Sequence, residues 1–448
     1  MKTAALHNLG CKVNSFETEA MRELLVNAGY EIVDFHEKAD VYVINTCTVT
    51  NIADRKSRQM ISRARSLNPD AVVVAAGCYV QNEAHKPTEA DILIGNDEKG
   101  RLIEAIEGLH KTGQSEAEAK PKAEAKPKAT YIHDIIKDKS CESLVAATSG
   151  SRSRTFLKIE DGCDMYCTYC IIPFVRGRVR SVPEEEVEKT VRSLLQKDCP
   201  EIVLNGILLS AYGKDLKTDL LSLLTRLDDV MKKSGKNTRI RLGSMEMGYL
   251  TEDIIRKMAQ LKTLCPHFHL SLQSGSDTVL KRMGRRYDTN DYKKTVEAIR
   301  KYFYKPSVTT DIICGFPGES EEEFEETLEF AKQIAFSGAH IFPYSRREGT
   351  KADKFPDQLT QAVKKERVRI LNKVCQKTKE EYEASLLGEA CRAVVEEEKT
   401  AGGCILYTGR TERYLEVLIE KEKAQTEGGV AQGILARDGE NLILKQKS

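Results

Sequence analysis

The sequence predicts an α/β chain of several domains: a doubly wound parallel N-terminal domain, a partial (β/α)6 barrel and a small C-terminal β-barrel. Three observations carry this. Apolar strand runs alternate with helical patterns through residues 1–100. The same alternation resumes at Phe156 and recurs roughly every 30–45 residues, about six times, as parallel βα units do. After Gly388 it gives way to short strands separated by turn signals. A length of 448 residues agrees with about three domains at roughly 150 residues each.

The elements follow in order. Residues 3–7 form a short apolar strand, and 15–28 a helix with Ser15 as N-cap and Gly29 as its stop. Strands are expected at 41–44, 71–76 and 91–94, with a helix over 52–67. Residues 115–129 read SEAEAKPKAEAKPKA, a charged, near-repeating stretch with no apolar period, so 111–150 is expected to be a linker. Barrel strands are expected at 156–159, 201–204, 239–242, 268–272, 308–313 and 340–342, with helices over 183–196 and 321–335 between them. A long charged helix spans 360–383. Short strands at 392–396, 403–408, 414–419, 433–436 and 441–444 make the last barrel. The expected domains are therefore 1–110, 151–383 and 384–448.

Composition narrows the function. The 69 Lys and Arg nearly cancel the 68 Asp and Glu, a net charge of +1. That excludes binding to nucleic acid or membrane by bulk charge and leaves local basic patches open. No apolar run reaches the length of a membrane span, about 18 residues, and residues 1–10 lack a signal-peptide core. A soluble cytoplasmic protein is expected. The 13 cysteines then read as reduced thiols in the core, in metal sites or in catalysis, not as a disulfide framework.

Spacing decides among these. Cys163, Cys167 and Cys170, with three and two residues between them, follow directly on the first barrel strand. Three thiolates in one short loop hold three irons of a [4Fe–4S] cluster and leave the fourth open to an outside ligand. A zinc site usually takes a fourth Cys or His nearby, and none is adjacent in sequence. A second set is dispersed: Cys11, Cys47 and Cys78 each follow a strand of the first domain, where a doubly wound sheet places its ligand crevice. Three thiols converging from strand tips suit a second three-cysteine cluster. The other seven cysteines have no ligand spacing, and His267 and His269 alternate along a strand as structural residues.

The cysteine triplet after the first barrel strand resembles the signature of the radical S-adenosylmethionine superfamily. That resemblance implies that the open iron chelates the amino and carboxylate groups of S-adenosylmethionine and that one electron cleaves the sulfonium to a 5′-deoxyadenosyl radical. It further implies cofactor contacts at the Gly315-Phe316-Pro317-Gly318-Glu319 turn, at Ser271 and Gln273 on another strand end, and at Arg176. With the Cys11, Cys47 and Cys78 domain in front, nearly the whole chain resembles the methylthiotransferase family, whose last domain is a TRAM barrel. The segments Leu9-Gly10-Cys11-Lys12-Val13-Asn14 and His340-Ile-Phe-Pro-Tyr-Ser-Arg-Arg-Glu-Gly-Thr350 are similar to the branch acting on N6-threonylcarbamoyladenosine beside the tRNA anticodon. Sister branches act on N6-isopentenyladenosine or on a ribosomal-protein aspartate, and a non-catalytic iron–sulfur RNA sensor is an alternative outside the family's chemistry.

The chemistry implied is methylthiolation of adenine carbon 2. Its C–H bond resists any general base at neutral pH, so a radical is required. The resemblance implies two [4Fe–4S] clusters, with the N-terminal one binding or donating sulfur, and S-adenosylmethionine as both methyl donor and radical source. It also implies an external electron donor, a sulfur source and tRNA as partners. Candidate RNA contacts are Arg55, Lys56, Arg58, Arg63 and Arg65 after Cys47; Arg176, Arg178 and Arg180 after the cysteine loop; and Arg282, Arg285 and Arg286. Arg410, Arg413 and Tyr414 are candidates on the last barrel, although Asp and Glu outnumber Lys and Arg there.

Overall fold

The computed structural model describes residues 2–83, 88–112, 127–137, 141, 153–401, 404–420 and 429–445. The chain divides into two compact units. The first comprises Met1–Thr148, Glu160–Val182 and Ser345–Asp353; the second comprises Ser149–Ile159, Pro183–Tyr344 and Lys354–Ser448.

The first unit is built on six parallel strands: β1 (Thr3–Asn8), β2 (Glu31–Ile32), β3 (Val41–Thr46), β4 (Val72–Gly77), β5 (Ile92–Ile94) and β6 (Ala129–Tyr131). Their order in the sheet is β2-β1-β3-β4-β5-β6. Because side chains alternate across a strand, the sheet buries both faces. Ala5, Tyr42, Ile44, Val73 and Ala75 pack on one side with Ile61 and Ala64 of helix α2 (Asn51–Leu67). Ala4, Val41, Val43, Val74 and Ala76 pack on the other with Met21 and Leu25 of α1 (Lys12–Asn27). This is the doubly wound arrangement, and it explains why β3 and β4 are buried throughout.

Two boundaries differ from the sequence reading. Helix α1 starts at Lys12, with extended Cys11 as its N-cap; Ser15 lies inside the first turns and accepts from Asn8 Nδ2 at 2.9 Å. Ala129–Tyr131, within the stretch expected to be a linker, pairs with β5. The chain is drawn in by the Lys128 and Ala129 amides, both donating to the Asp91 carbonyl. Residues 115–126 of the charged repeat lie outside the described residues. A third difference concerns Glu160–Val182, expected within the barrel domain, which groups with the first unit.

The second unit carries parallel strands throughout its α/β part. Arg154–Lys158, Glu201–Asn205 and Arg239–Leu242 form one sheet; Ser244–Met245, His267–Leu270, Ser307–Cys314 and Gly338–Pro343 form another. A parallel bridge between Ile240 and Leu264 links the two runs. Amphipathic helices such as Glu184–Gln196, Leu220–Ser234 and Glu321–Ile334 separate the strands. The chain then runs through the helix Gln361–Ser385 into a closed five-stranded barrel made by Ala390–Ala401, Cys404–Thr411, Glu416–Glu420, Val430–Asp438 and Asn441–Lys445.

That barrel is seated on the amino ends of the parallel strands by a buried ionic cluster. Glu201 accepts from Arg239 Nε at 2.6 Å and from Arg241 Nε at 2.8 Å. The free arms of the two guanidiniums donate to the carbonyls of Arg392, Arg410, Thr411 and Glu412. Tyr414 stacks on His267 at 4.7 Å and lies beneath Arg154, Arg241 and Arg410. The expectation that Arg410, Arg413 and Tyr414 meet RNA is therefore corrected: Arg410 also pairs with Glu416, and Arg413 donates to the Lys305 carbonyl. These groups join the barrel to its neighbour. Among the described residues no helix is long and apolar enough to cross a membrane.

Candidate functional site

The dispersed cysteines come together because their strands are neighbours. Cys11 follows β1, Cys47 follows β3 and Cys78 follows β4, which are adjacent in the sheet. Strands lie about 4.8 Å apart, so three thiols on adjacent tips fall on one small area. Cys47 is buried, and burial raises its thiol to about 12, with Cys78 and then Cys11 adding to the shift as neighbouring charges. Thiols that raise one another in this way need a cation to become thiolates together. Cys11 stands at the N-cap position of α1, and desolvation raises its thiol while the Arg176 charge acts to lower it. Among the described residues no three His, Cys, Asp or Glu side chains are gathered tightly enough for one metal ion; a cubane takes its thiolates on separate irons, at wider spacing. The donor set and its placement fit such a cluster.

Gly10 makes the convergence possible. Its φ is +102°, and a Cβ there would stand 2.8 Å from Cys47 Cβ and 2.9 Å from Cys47 Sγ. Gly10→Ala is expected to push Cys47 aside. Anaerobically reconstituted protein should then fall from about eight irons per chain to about four, as read by iron analysis.

The second triplet sits in a loop clamped at its base. Glu160–Asp161 pairs antiparallel with Arg180–Ser181, and the Cys163 amide donates to the Gly177 carbonyl at 3.0 Å. Gly162, at φ +87°, leaves no room for a Cβ, which would meet the Arg178 carbonyl at 1.8 Å. Burial raises Cys163 to about 12, and Cys170 and Cys167 act on it as neighbouring charges. The three thiols are thus near enough to act on one another, and the donor set fits a three-cysteine cluster.

The remaining predicted residues divide. In the second unit, Gln273 adopts φ +70°, unusual for a side chain of its size, while its amide donates to the Asp311 carbonyl and its carbonyl accepts from Ile313. The Ser271 carbonyl accepts from the Tyr287 hydroxyl at 2.7 Å. Gly315 and Gly318 have φ of +72° and +71°, and the space beside Gly318 is open. Phe316 and Pro317 are buried, with Phe316 edge-on to Tyr344 and Phe355. The turn is braced by Glu319, which accepts from the Gly315 amide at 2.7 Å and from Arg367 at 2.6 Å. Sequence reasoning passed over Glu319's role, although an acid four residues after a turn glycine was its signal.

Arg176 is a correction in two respects. It is fully buried in the first unit, donating to Glu17, Asp161, Asn14 and Cys78, so no N–H remains for S-adenosylmethionine or RNA. Arg180 is likewise buried, against Asp97. Arg178 is exposed, as are Arg55, Lys56, Arg58 and Arg63 on α2; Arg65 pairs with Asp91. Arg282 and Arg285 form ion pairs with Glu323 and Glu246, and Arg286 is exposed. Arg347, which sequence reasoning left without a role, is buried against Asp54 and the Thr48 hydroxyl, bracing the segment that follows Cys47.

Residues 157–331 match the Radical SAM superfamily, and residues 3–95 match Uncharacterized protein family UPF0004. The Threonylcarbamoyladenosine tRNA methylthiotransferase MtaB of Aquifex aeolicus is 41% identical over 88% of this chain and 93% of its own length. The chain belongs to the radical S-adenosylmethionine methylthiotransferase family. Another relative, the enzyme of the same designation from Bacillus subtilis, is 39% identical over 94% of this chain and 91% of its own. Among solved structures, the radical S-adenosylmethionine methyltransferase TsrM of Kitasatospora setae aligns with a TM-score of 0.53 at 12% identity, covering 76% of this chain and 73% of that one. At that identity the likeness is one of fold. Membership in the methylthiotransferase family accounts for the succession of a cysteine-bearing parallel domain and a radical domain in one chain.

Proposed function

We propose that this methylthiotransferase converts N6-threonylcarbamoyladenosine, next to the tRNA anticodon, into its 2-methylthio derivative in the cytoplasm. The observation that carries the reading is the pair of cysteine triplets, one on three adjacent strand tips and one in a clamped loop. Two [4Fe–4S] clusters fit them: Cys163, Cys167 and Cys170 hold one, and Cys11, Cys47 and Cys78 the other. When bound, the first supplies the electron that turns S-adenosylmethionine into a radical source, and the second supplies a site for sulfur.

The protein's own groups position and shield. The Gly315–Gly318 turn, braced by Glu319 and Arg367, offers open backbone at Gly318 to S-adenosylmethionine, and Gln273, at φ +70°, stands at a neighbouring strand end. Exposed Arg55, Lys56, Arg58, Arg63 and Arg178 offer charge to the phosphates. Tyr166 and Phe174, edge-to-face at 5.8 Å and both exposed beside the cysteine loop, offer stacking surface to an unpaired base. The parallel strands of the second unit act as a partial (β/α)6 barrel, and the closed C-terminal barrel as a TRAM-type domain. An external reductant and a sulfur source complete the reaction.

Substrate choice rests on the relatives. Those named for threonylcarbamoyladenosine are 34–41% identical, and those named for dimethylallyladenosine are 32–33% identical. In a strain deleted for this gene, nucleoside digests of tRNA should lose the 2-methylthio form of N6-threonylcarbamoyladenosine and accumulate the unmethylthiolated nucleoside. Loss of the methylthio form of the dimethylallyl nucleoside instead would reassign the substrate.

A further inference from the structure

The guanidinium of Arg176, which belongs to the chain segment of the second cysteine triplet, reaches the first. It ends the short helix Ile172–Arg176, which starts just after Cys170. Ile171 and Val175 of the same segment pack on Cys78. Its Nη1 donates to Glu17 at 3.0 Å and to Asp161 at 2.9 Å; its Nη2 donates to Asn14 at 2.6 Å and to Glu17 at 3.1 Å. The Nε–H is left over, and it points at Cys78 Sγ, 3.3 Å away.

The surrounding charges indicate what that bond does. Lys99 joins the network through Glu17 at 2.5 Å and Asn96 at 3.0 Å. Arg176 and Lys99 are thus balanced by Glu17 and Asp161, and all four side chains are buried. The network carries no net charge. What it adds is a fixed donor aimed at one sulfur, supported by Asn96 Nδ2, which lies 3.5 Å from the same Sγ and holds the Val175 carbonyl at 2.7 Å. A donor to a ligating thiolate stabilises the more electron-rich state of a cluster and raises its reduction potential.

We propose that Arg176 is a positioning residue for the N-terminal centre: its Nε–H bond to Cys78 sets that cluster's reduction potential, while its bonds to Glu17 and Asn14 tie the cysteine loop to helix α1. The inference rests on the reading that Cys11, Cys47 and Cys78 carry a cluster. It gives one side chain a part in both centres, because the residue that tunes the first triplet is anchored in the chain segment of the second.

The test uses the full chain with Cys163, Cys167 and Cys170 all replaced by alanine, so that only the N-terminal centre can load. Iron analysis should give about four irons per chain. Redox titration followed by EPR then compares this parent with two further variants. Arg176→Lys keeps the charge and loses the Nε–H; Arg176→Gln with Asp161→Asn removes donor and counter-charge together and guards against a folding failure of the first. Both are expected to shift the midpoint to a more negative value. Pulsed EPR in deuterated buffer should lose the exchangeable deuteron nearest the cluster. A parent without iron would overturn the two-cluster reading and the inference with it. A loaded parent whose midpoint and deuteron signal match those of both variants would overturn the inference alone.

Discussion

Cys163→Ala is expected to abolish formation of both 5′-deoxyadenosine and the methylthiolated nucleoside, by at least about a thousandfold. Three thiolates are the minimum that leaves one iron of a cubane open while fixing the other three. With one thiol gone the cluster is lost or becomes labile, and no side chain in the loop replaces an electron source. A loss of that size corresponds to about 4 kcal/mol of barrier or more. Stability should hardly change: Cys163 is only partly buried, and the loop is clamped through its backbone, by the Cys163 amide on Gly177 and by the Asp161–Arg180 pairing. Iron should fall from about eight to about four per chain while the melting temperature stays within a few degrees. Retained product in a loaded Cys163→Ala protein would refute the assignment of the radical centre to this loop.

Glu201→Ala is expected to give the largest stability loss of any single substitution considered. Glu201 is fully buried, and its two oxygens face Arg239 and Arg241, with Arg154 at 3.8 Å. Removing it leaves the desolvated Arg241 guanidinium without its counter-ion and Arg239 with only Glu412, at 3.8 Å; stripping a buried charge of its partner typically costs about 3–5 kcal/mol. For a unit of this size that lowers the melting temperature by about 10 °C. The same guanidiniums hold the carbonyls of Arg392, Arg410, Thr411 and Glu412, so limited proteolysis should release the C-terminal barrel first.

The pH dependence has a definite sign. Burial pushes the Glu201 carboxyl up, but Arg241 and then Arg239 outweigh it and bring it from 4.5 to about 2. A carboxylate depressed on folding contributes fully above its unfolded value and loses that contribution as pH falls toward the folded one. The wild type should therefore lose about 3 kcal/mol between about pH 4.5 and 2 from this group alone. Glu201→Ala should lack that part of the acid limb. Equal melting temperatures and equal acid limbs in the two proteins would contradict the account.

Much of the architecture was legible in the sequence. Val41–Ile44 and Val72–Gly77 are apolar on both faces, a pattern that only a sheet covered on both sides requires. The placement of Cys11, Cys47 and Cys78 directly after strands identified tips without any knowledge of pairing. Less was legible where a short segment gains its structure from a neighbour. Ala129–Tyr131 has no period of its own and becomes a strand because β5 offers an open edge and the Asp91 carbonyl accepts its first amides. The basic run at 176–180 read as one patch. In the folded chain Arg176 and Arg180 turn inward to Glu17, Asp161 and Asp97, and Arg178 turns out. Two of these acids, Glu17 and Asp97, lie more than 80 positions away in the chain, and no local pattern reports them.

The sequence by itself determined which residue types stand at which strand tips, and with them the chemistry open to the chain: two sets of three thiols and a glycine turn. Those follow from side-chain period and covalent spacing, which are local. Only the tertiary structure decided that β1, β3 and β4 are neighbours, that Gly10 must lack a Cβ for Cys47 to approach, and that Arg176 faces a thiol and not a phosphate. These depend on strand order and on buried charges finding partners across the chain, where desolvation makes an unpaired guanidinium so costly that distant acids, not nearby sequence, set its direction.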